Sequence, residues 1–122
     1  MLSTSYLKDP NLDEFKSDPA IKLYQEIIEK YYGLGLDLTV QPIGPTEGEL
    51  FVKLLSGLKQ VTRADIIKAA RSLDNVEISY LQPGIRLNTS ATDGFPIKQM
   101  QVIQFNEGAF RRVGDVVSAP PL

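Results

Sequence analysis

The chain has 122 residues, a formal net charge of −2 and a pI near 5.1, so there is no basic excess to neutralise phosphates and nucleic acid is not an expected partner. It contains no cysteine and no histidine, which excludes thiol nucleophiles, disulfides, zinc fingers, imidazole bases and Ser-His triads. Apolar residues make up 43% and charged residues 23%, a balance that supports a folded core.

The first 17 residues read as polar and irregular, with a turn at Asp9-Pro10-Asn11. The start lacks the basic and apolar regions of a signal peptide, so the chain as written is expected to stay inside the cell. Asp18-Pro19 predicts a helix start, because Asp caps well and Pro has no N–H to leave unpaired at the first helical position. Ile21, Tyr24, Ile28 and Tyr31 follow at spacings of three and four and share a face. The first helix is predicted over 19–32, ended by Gly33 and Gly35, with Tyr31 in the core and Tyr32 half exposed. Residues 36–40 read as a short extended segment, and Pro42, Gly44 and Pro45 as a stiff loop.

Thr46-Glu47-Gly48-Glu49 has the spacing of a capping box, predicting a second helix over 46–58 with Leu50, Phe51, Leu54, Leu55 and Leu58 as its stripe. Thr62 to Asp65 resembles a further cap and predicts a third helix over 62–74, burying Ile66, Ile67, Ala70 and Leu73. Pro83-Gly84 marks a turn, 85–88 a short strand and 89–96 a loop. Residues 98–105 and 109–117 predict a hairpin around the three-residue loop Asn106-Glu107-Gly108, with Met100, Val102 and Phe105 on one face. The tail from 118 is expected to fray. Three helices and a hairpin are not a closed domain: a lone hairpin is marginal in water, and apolar helix faces need a sheet to cover.

Several blocks carry a family resemblance. They are Ser5-Tyr6-Leu7-Lys8-Asp9-Pro10, Asp18-Pro19-Ala20-Ile21-Lys22 with Tyr31-Tyr32-Gly33, and Val61-Thr62-Arg63 with Ala69-Ala70. The most specific is the block over 81–93, continued by Pro96-Ile97-Lys98-Gln99-Met100-Gln101 and closed by Phe105 and Gly108. Together these resemble, in order, the C-terminal portion of a type I periplasmic solute-binding protein of the branched-chain amino-acid (leucine-binding) ABC transporter type. The resemblance implies an α/β fold class, the C-terminal part of a type I periplasmic-binding-protein fold, with three helices followed by a short strand and a β-hairpin. It implies one partial domain over 1–122. In it, 18–75 would be the helical section of one lobe, 76–97 the connecting strand, loop and crossover, and 98–117 the terminal hairpin of the other lobe. The full protein would bind an amino acid or small amide in a cleft, partner an ABC permease, and work in the periplasm or outside the cell. Many members carry an aromatic just before the second helix; here Ile43-Gly44-Pro45-Thr46 has none.

Neither a catalytic residue, nor a metal ligand, nor a cofactor is expected. Thr46 and Glu47 are the candidate ligand contacts, because a hydroxyl, a carboxylate and free N–H groups at a helix start suit the polar ends of an amino acid. Glu47 and Glu49 also serve capping alone. Asp93 is expected to form an Asx-turn, and Arg111-Arg112 to be solvated surface, since adjacent strand residues point to opposite faces. The leading reading is a fragment of a solute receptor. The alternative is a stand-alone structural or interaction protein of that fold, acting as a homo-oligomer without solute binding.

Overall fold

The computed structural model describes residues 1–33 and 42–120. In chain order the elements are β1 (Leu2–Ser5), a 3₁₀ turn (Asp13–Phe15), α1 (Pro19–Tyr32), α2 (Ile43–Ser56), α3 (Arg63–Ala70), β2 (Gln99–Asn106) and β3 (Ala109–Ser118). Three helices and a three-stranded antiparallel sheet of order β1-β2-β3 make this an α/β fold. The segment expected over 36–40 lies outside the described residues.

α1 forms as its sequence predicts. The Asp18 carboxylate accepts from the amides of Ala20 and Ile21, and Gly33 closes the helix at φ 91°. Ile21 and Tyr24 are buried and Ile28 partly so, but Tyr31 is 69% exposed and Tyr32 71%. The apolar face is therefore shorter than its periodicity: the last turn of α1 runs past the core.

α2 begins three residues before its expected start. The Thr46 amide donates to Pro42 O at 3.2 Å, so Ile43, Gly44 and Pro45 are already helical. Pro45 is tolerated because N–H groups of the first turn have no partner within a helix. The capping box does not form. The Thr46 hydroxyl donates to Pro42 O at 2.6 Å, and Glu49 turns to another segment.

α3 is capped as expected, Thr62 accepting from the Asp65 amide, but it stops at Ala70 rather than 74. Thr89 ends it. Its hydroxyl donates to Ala70 O at 2.7 Å and accepts from the Leu73 amide at 2.9 Å, which removes the partners of another turn. Leu73 is buried and Ile66 and Ala70 half-buried, while Ile67, expected inside, is exposed.

Residues 85–88 do not form a strand. The Val76–Leu87 contact is a single bridge, with its two amides donating across at 3.0 and 2.9 Å. The opening residues, expected to be irregular, supply β1, which pairs Leu2 with Gln104 through Ser5 with Gln101. The hairpin is thus the greater part of a three-stranded sheet. Its loop has two residues, not three: Asn106 pairs with Ala109, and Glu107 and Gly108 take φ 50° and 83°, a type I′ turn. Unbroken pairing along β1 keeps β2 in strict alternation, so Met100 and Val102 share one face while Gln101, Ile103 and Phe105 share the other. Phe105 then meets Phe110 across the ladder, ring centroids 5.1 Å apart.

The core sits between 6–15 and 73–87, under one face of α1. Leu7, Phe15, Ile21, Tyr24, Ile78, Leu81 and Ile85 are buried there. The two irregular segments are joined backbone to backbone: Lys8 N donates to Tyr80 O at 2.9 Å and Gln82 N to Tyr6 O at 2.8 Å. Leu50 and Leu54 bring α2 to the edge of this core, and Phe110 and Val116 bring the sheet.

Candidate functional site

The polar layer beside the α2 start is built from three places in the chain. Lys8 leaves the N-terminal segment with its ammonium 2.6 Å from Asp18 Oδ2 and 2.7 Å from Ser79 O. Ser79 in turn donates to Glu49, its amide at 2.9 Å and its hydroxyl at 3.1 Å. Lys53, one turn further along α2, lies 3.3 Å from the Glu49 carboxylate. A chain of polar and charged groups, half-buried at Asp18, Lys8 and Glu49 and exposed at Ser79 and Lys53, thus connects the α1 cap, the 73–87 segment and α2.

The ionisation of these groups follows from their setting. Burial works to raise the Asp18 carboxyl, but the hydrogen bond and charge of Lys8 and the amides of Ala20 and Ile21 outweigh it, leaving Asp18 below its usual value. Tyr80 is pushed up by burial first, then by the negative charges of Glu49 and Asp18. The arrangement holds the Asp18 carboxylate ionised and the Tyr80 phenol neutral at neutral pH.

Of the two expected contacts, Thr46 is half-buried in the first turn of α2 and Glu47 is exposed beside it. The amide and hydroxyl proton of Thr46 both go to Pro42 O, so the free N–H expected at this residue is taken. Thr46 Oγ1 and the Glu47 carboxylate are acceptors, which suit an ammonium better than a carboxylate. An open depression of about 660 Å³ lies elsewhere, between the end of α3 and the 88–91 loop, lined by Arg71, Leu73, Asn88 and Thr89 among others. It includes neither expected contact.

Asp93 forms its Asx-turn, Oδ1 accepting from the Phe95 amide at 3.0 Å, and Oδ2 lies 2.6 Å from Lys98. The Lys98 hydrogen bond, then the Phe95 amide, hold its carboxyl below the usual value. Arg111 is exposed, whereas Arg112 grips Glu14 through Nε at 2.9 and 3.1 Å and Nη2 at 2.8 Å. Among the described residues no cluster of three His, Cys, Asp or Glu side chains is placed to hold a metal. Nor is any helix there long and apolar enough to cross a membrane. Sequence reasoning missed the Glu49–Ser79 connection and the place of Lys8 between Ser79 and Asp18. Glu49 was legible only as a cap, and the link spans thirty residues of chain.

No family model matches the chain, and no curated protein does. Its elements match a fragment of the α/β periplasmic-binding-protein fold. The solved structure that shows this is a branched chain amino acid ABC transporter from Thermus thermophilus with bound valine. It superposes on 97% of this chain with a TM-score of 0.67 and 16% sequence identity. The match takes up 33% of that protein, so this chain spans about a third of its length. At that identity the likeness is one of fold.

Proposed function

We propose that this chain supplies one part of a solute-binding receptor of a branched-chain amino-acid type ABC importer, and carries out no chemistry of its own. The observation behind this is the agreement of fold over 97% of the chain with a valine-bound transporter protein. The family-like block over 81–101 points the same way from sequence. In this reading the complete receptor works in the periplasm or outside the cell and delivers an amino acid or small amide to a permease. The 98–117 hairpin belongs to the second lobe, and Thr46 with Glu47 meets the solute's ammonium group at the start of α2.

This chain alone is too little to hold a solute. A helix end contributes roughly 0.3–1 kcal/mol toward a charged group at the surface, and ~2 when partly buried. Millimolar binding already requires about −4 kcal/mol. Titration calorimetry of the 122-residue chain with valine, leucine and small amides is therefore expected to show no binding. Micromolar binding by the chain alone would overturn the fragment reading. A DNA reading frame directly upstream that encodes the other two-thirds of the fold, beside permease and ATPase genes, is the supporting result. A second reading, an interaction module without solute binding, is favoured by Phe51 and Val52 of α2, which are 53% and 62% exposed.

A further inference from the structure

We propose that Asp93-Gly94 is a covalent ageing site, where aspartate converts to isoaspartate, and that the Lys98 ion pair and the Phe95 amide restrain the conversion in the folded protein. The chemistry needs only these two residues and water. The amide nitrogen of Gly94 attacks Cγ of the neutral Asp93 carboxyl. A new N–Cγ bond forms, and the carboxyl hydroxyl leaves with the amide proton as water. Water then opens the cyclic imide at either carbonyl. One opening restores aspartate; the other leaves the main chain running through the side-chain carbon as isoaspartate. A following glycine favours the attack, because no Cβ crowds the nitrogen. Asp93-Gly94 is the single place in the 122 residues where Asp or Asn precedes Gly. The loop is exposed at Ala91, Thr92, Gly94 and Phe95, so water reaches the bond. Beyond its chain neighbours, a Cβ built at Gly94 meets only the Arg71 guanidinium, at 3.9 Å, so packing does not bar the ring.

What restrains the ring is the set of bonds that Asp93 already makes. Both carboxyl oxygens are committed: Oδ1 accepts from the Phe95 amide at 3.0 Å, and Oδ2 lies 2.6 Å from Lys98 Nζ. The main chain of Asp93 is fixed on Ser90, whose Oγ accepts from the Asp93 amide at 3.1 Å and whose amide donates to the Asp93 carbonyl at 2.8 Å. Turning the carboxyl plane toward Gly94 breaks at least one of these bonds. Lys98 acts in a second way. Its hydrogen bond, then the Phe95 amide, hold the carboxyl below its usual value, so the neutral form that reacts is scarcer than in an open chain. Lys98 is itself anchored by the sheet, its carbonyl accepting from the Ala119 amide at 2.7 Å. Conversion adds one carbon to the main chain at residue 93, which displaces the Ser90 bonds and the Lys98 pair together. The inference concerns this loop and does not depend on the receptor reading.

Incubation of the intact chain for weeks at mildly acidic pH tests it, with isoaspartate counted by peptide mapping and electron-transfer fragmentation. A synthetic peptide over 88–100 gives the unrestrained rate, and the folded wild type is expected to age more slowly than the peptide. Lys98→Ala is expected to age at Asp93 about threefold faster than wild type, the worth of an ion pair at a surface. Lys98→Arg keeps the charge and is expected to stay near the wild-type rate. Asp74, outside the loop and followed by Asn75, is the control for loss of fold, and its rate is expected not to change in either variant. A Lys98→Ala chain that ages at the wild-type rate overturns the proposal. So does a peptide that forms no isoaspartate at Asp93. If Lys98→Ala speeds Asp74 as well, the wild type and the peptide decide the matter, and equal rates in those two overturn the proposal.

Discussion

The side-chain amide nitrogen of Gln101 lies 3.2 Å from the carbonyl oxygen of Gly114, across the strand pair at the point where β3 carries surplus residues. Pairing jumps there from Gln101–Val116 to Ile103–Arg112, so Val113, Gly114 and Asp115 stand against Val102 alone. Gly114 takes φ 64°, a conformation that costs glycine little. The same nitrogen reaches the carbonyls of Val102 at 3.1 Å and Val113 at 3.2 Å. Gln101 is 2% exposed, so it is a buried donor set against carbonyls that the bulge has taken out of the ladder.

Replacing Gln101 with Leu keeps approximate volume but removes this donor. The carbonyls it leaves are only part-buried, so the loss is that of an ordinary net hydrogen bond, about 0.5–1.5 kcal/mol. Urea unfolding of Gln101→Leu is expected to show a loss in that range. Gln101→Glu should lose at least as much at neutral pH, because a carboxylate would then face carbonyl oxygens. A Gln101→Leu variant as stable as the wild type would show that the bulge closes without the side chain.

The two devices at either end of the molecule differ in how much the sequence reveals. Asp18-Pro19 announces α1 because cap, proline and periodic apolar residues agree locally. Gly108 likewise announces the hairpin. Gln101 shows no such signal: in a strand pattern a glutamine reads as solvent-facing, and only the bulge on the partner strand makes it a core residue. β1 was hidden because Leu2-Ser-Thr-Ser has no apolar alternation; its identity comes from pairing with β2. Pro45 concealed the start of α2, since Gly-Pro reads as loop. The contact residue expected at Thr46 inherited that misplaced start, and so its N–H is bonded rather than open. Leu7 and Leu12 are core residues in irregular chain and Phe15 lies in a single 3₁₀ turn, where no period could select them.

Acid should act on the α1 cap. The folded-state carboxyl of Asp18 is held below its unfolded value, about 3.9, so its contribution is complete above that value and is lost as pH falls through the lower folded value. Asp18→Asn retains a capping acceptor but removes the charge that meets Lys8 at 2.6 Å. Loss of a charged hydrogen bond costs roughly 1.5–3 kcal/mol. Denaturation series from pH 7 down to pH 2 are expected to show that gap at neutral pH and its closure below the folded pKa. A gap that stayed constant with pH would mean that Lys8 does not depend on the charge of Asp18.

The hairpin turn holds a residue poorly matched to its backbone. Glu107 sits at φ 50°, a region that L residues other than Asn and Asp avoid. Glu107→Asn gives the Asn-Gly pair that type I′ turns favour and is expected to stabilise the fold by about 0.5–1 kcal/mol. Gly108→Ala, at φ 83°, is expected to destabilise it by about 1–2 kcal/mol. Thermal melts of both variants should move in opposite directions; a shift of the same sign would mean that the turn adopts another form.

The attachment of α2 rests on fewer groups than that of α1. No residue of α2 among those described is fully buried, apart from which Leu50 and Leu54 only edge the core. Glu49 adds two hydrogen bonds from Ser79, at 2.9 and 3.1 Å, and so connects the helix to the segment that carries Ile78 and Tyr80. Glu49→Ala removes both bonds and frees Lys53, while leaving the Asp18 cap and the Ile21 and Tyr24 contacts untouched. Loss of about 1.4 kcal/mol from a local opening equilibrium corresponds to a tenfold change in exchange rate. Amide exchange in α2 is therefore expected to quicken roughly tenfold in Glu49→Ala, with little change in α1. Equal acceleration in both helices would show that Glu49 supports the whole core, and no change in either would show that the apolar contacts of Leu50 and Leu54 suffice to hold α2.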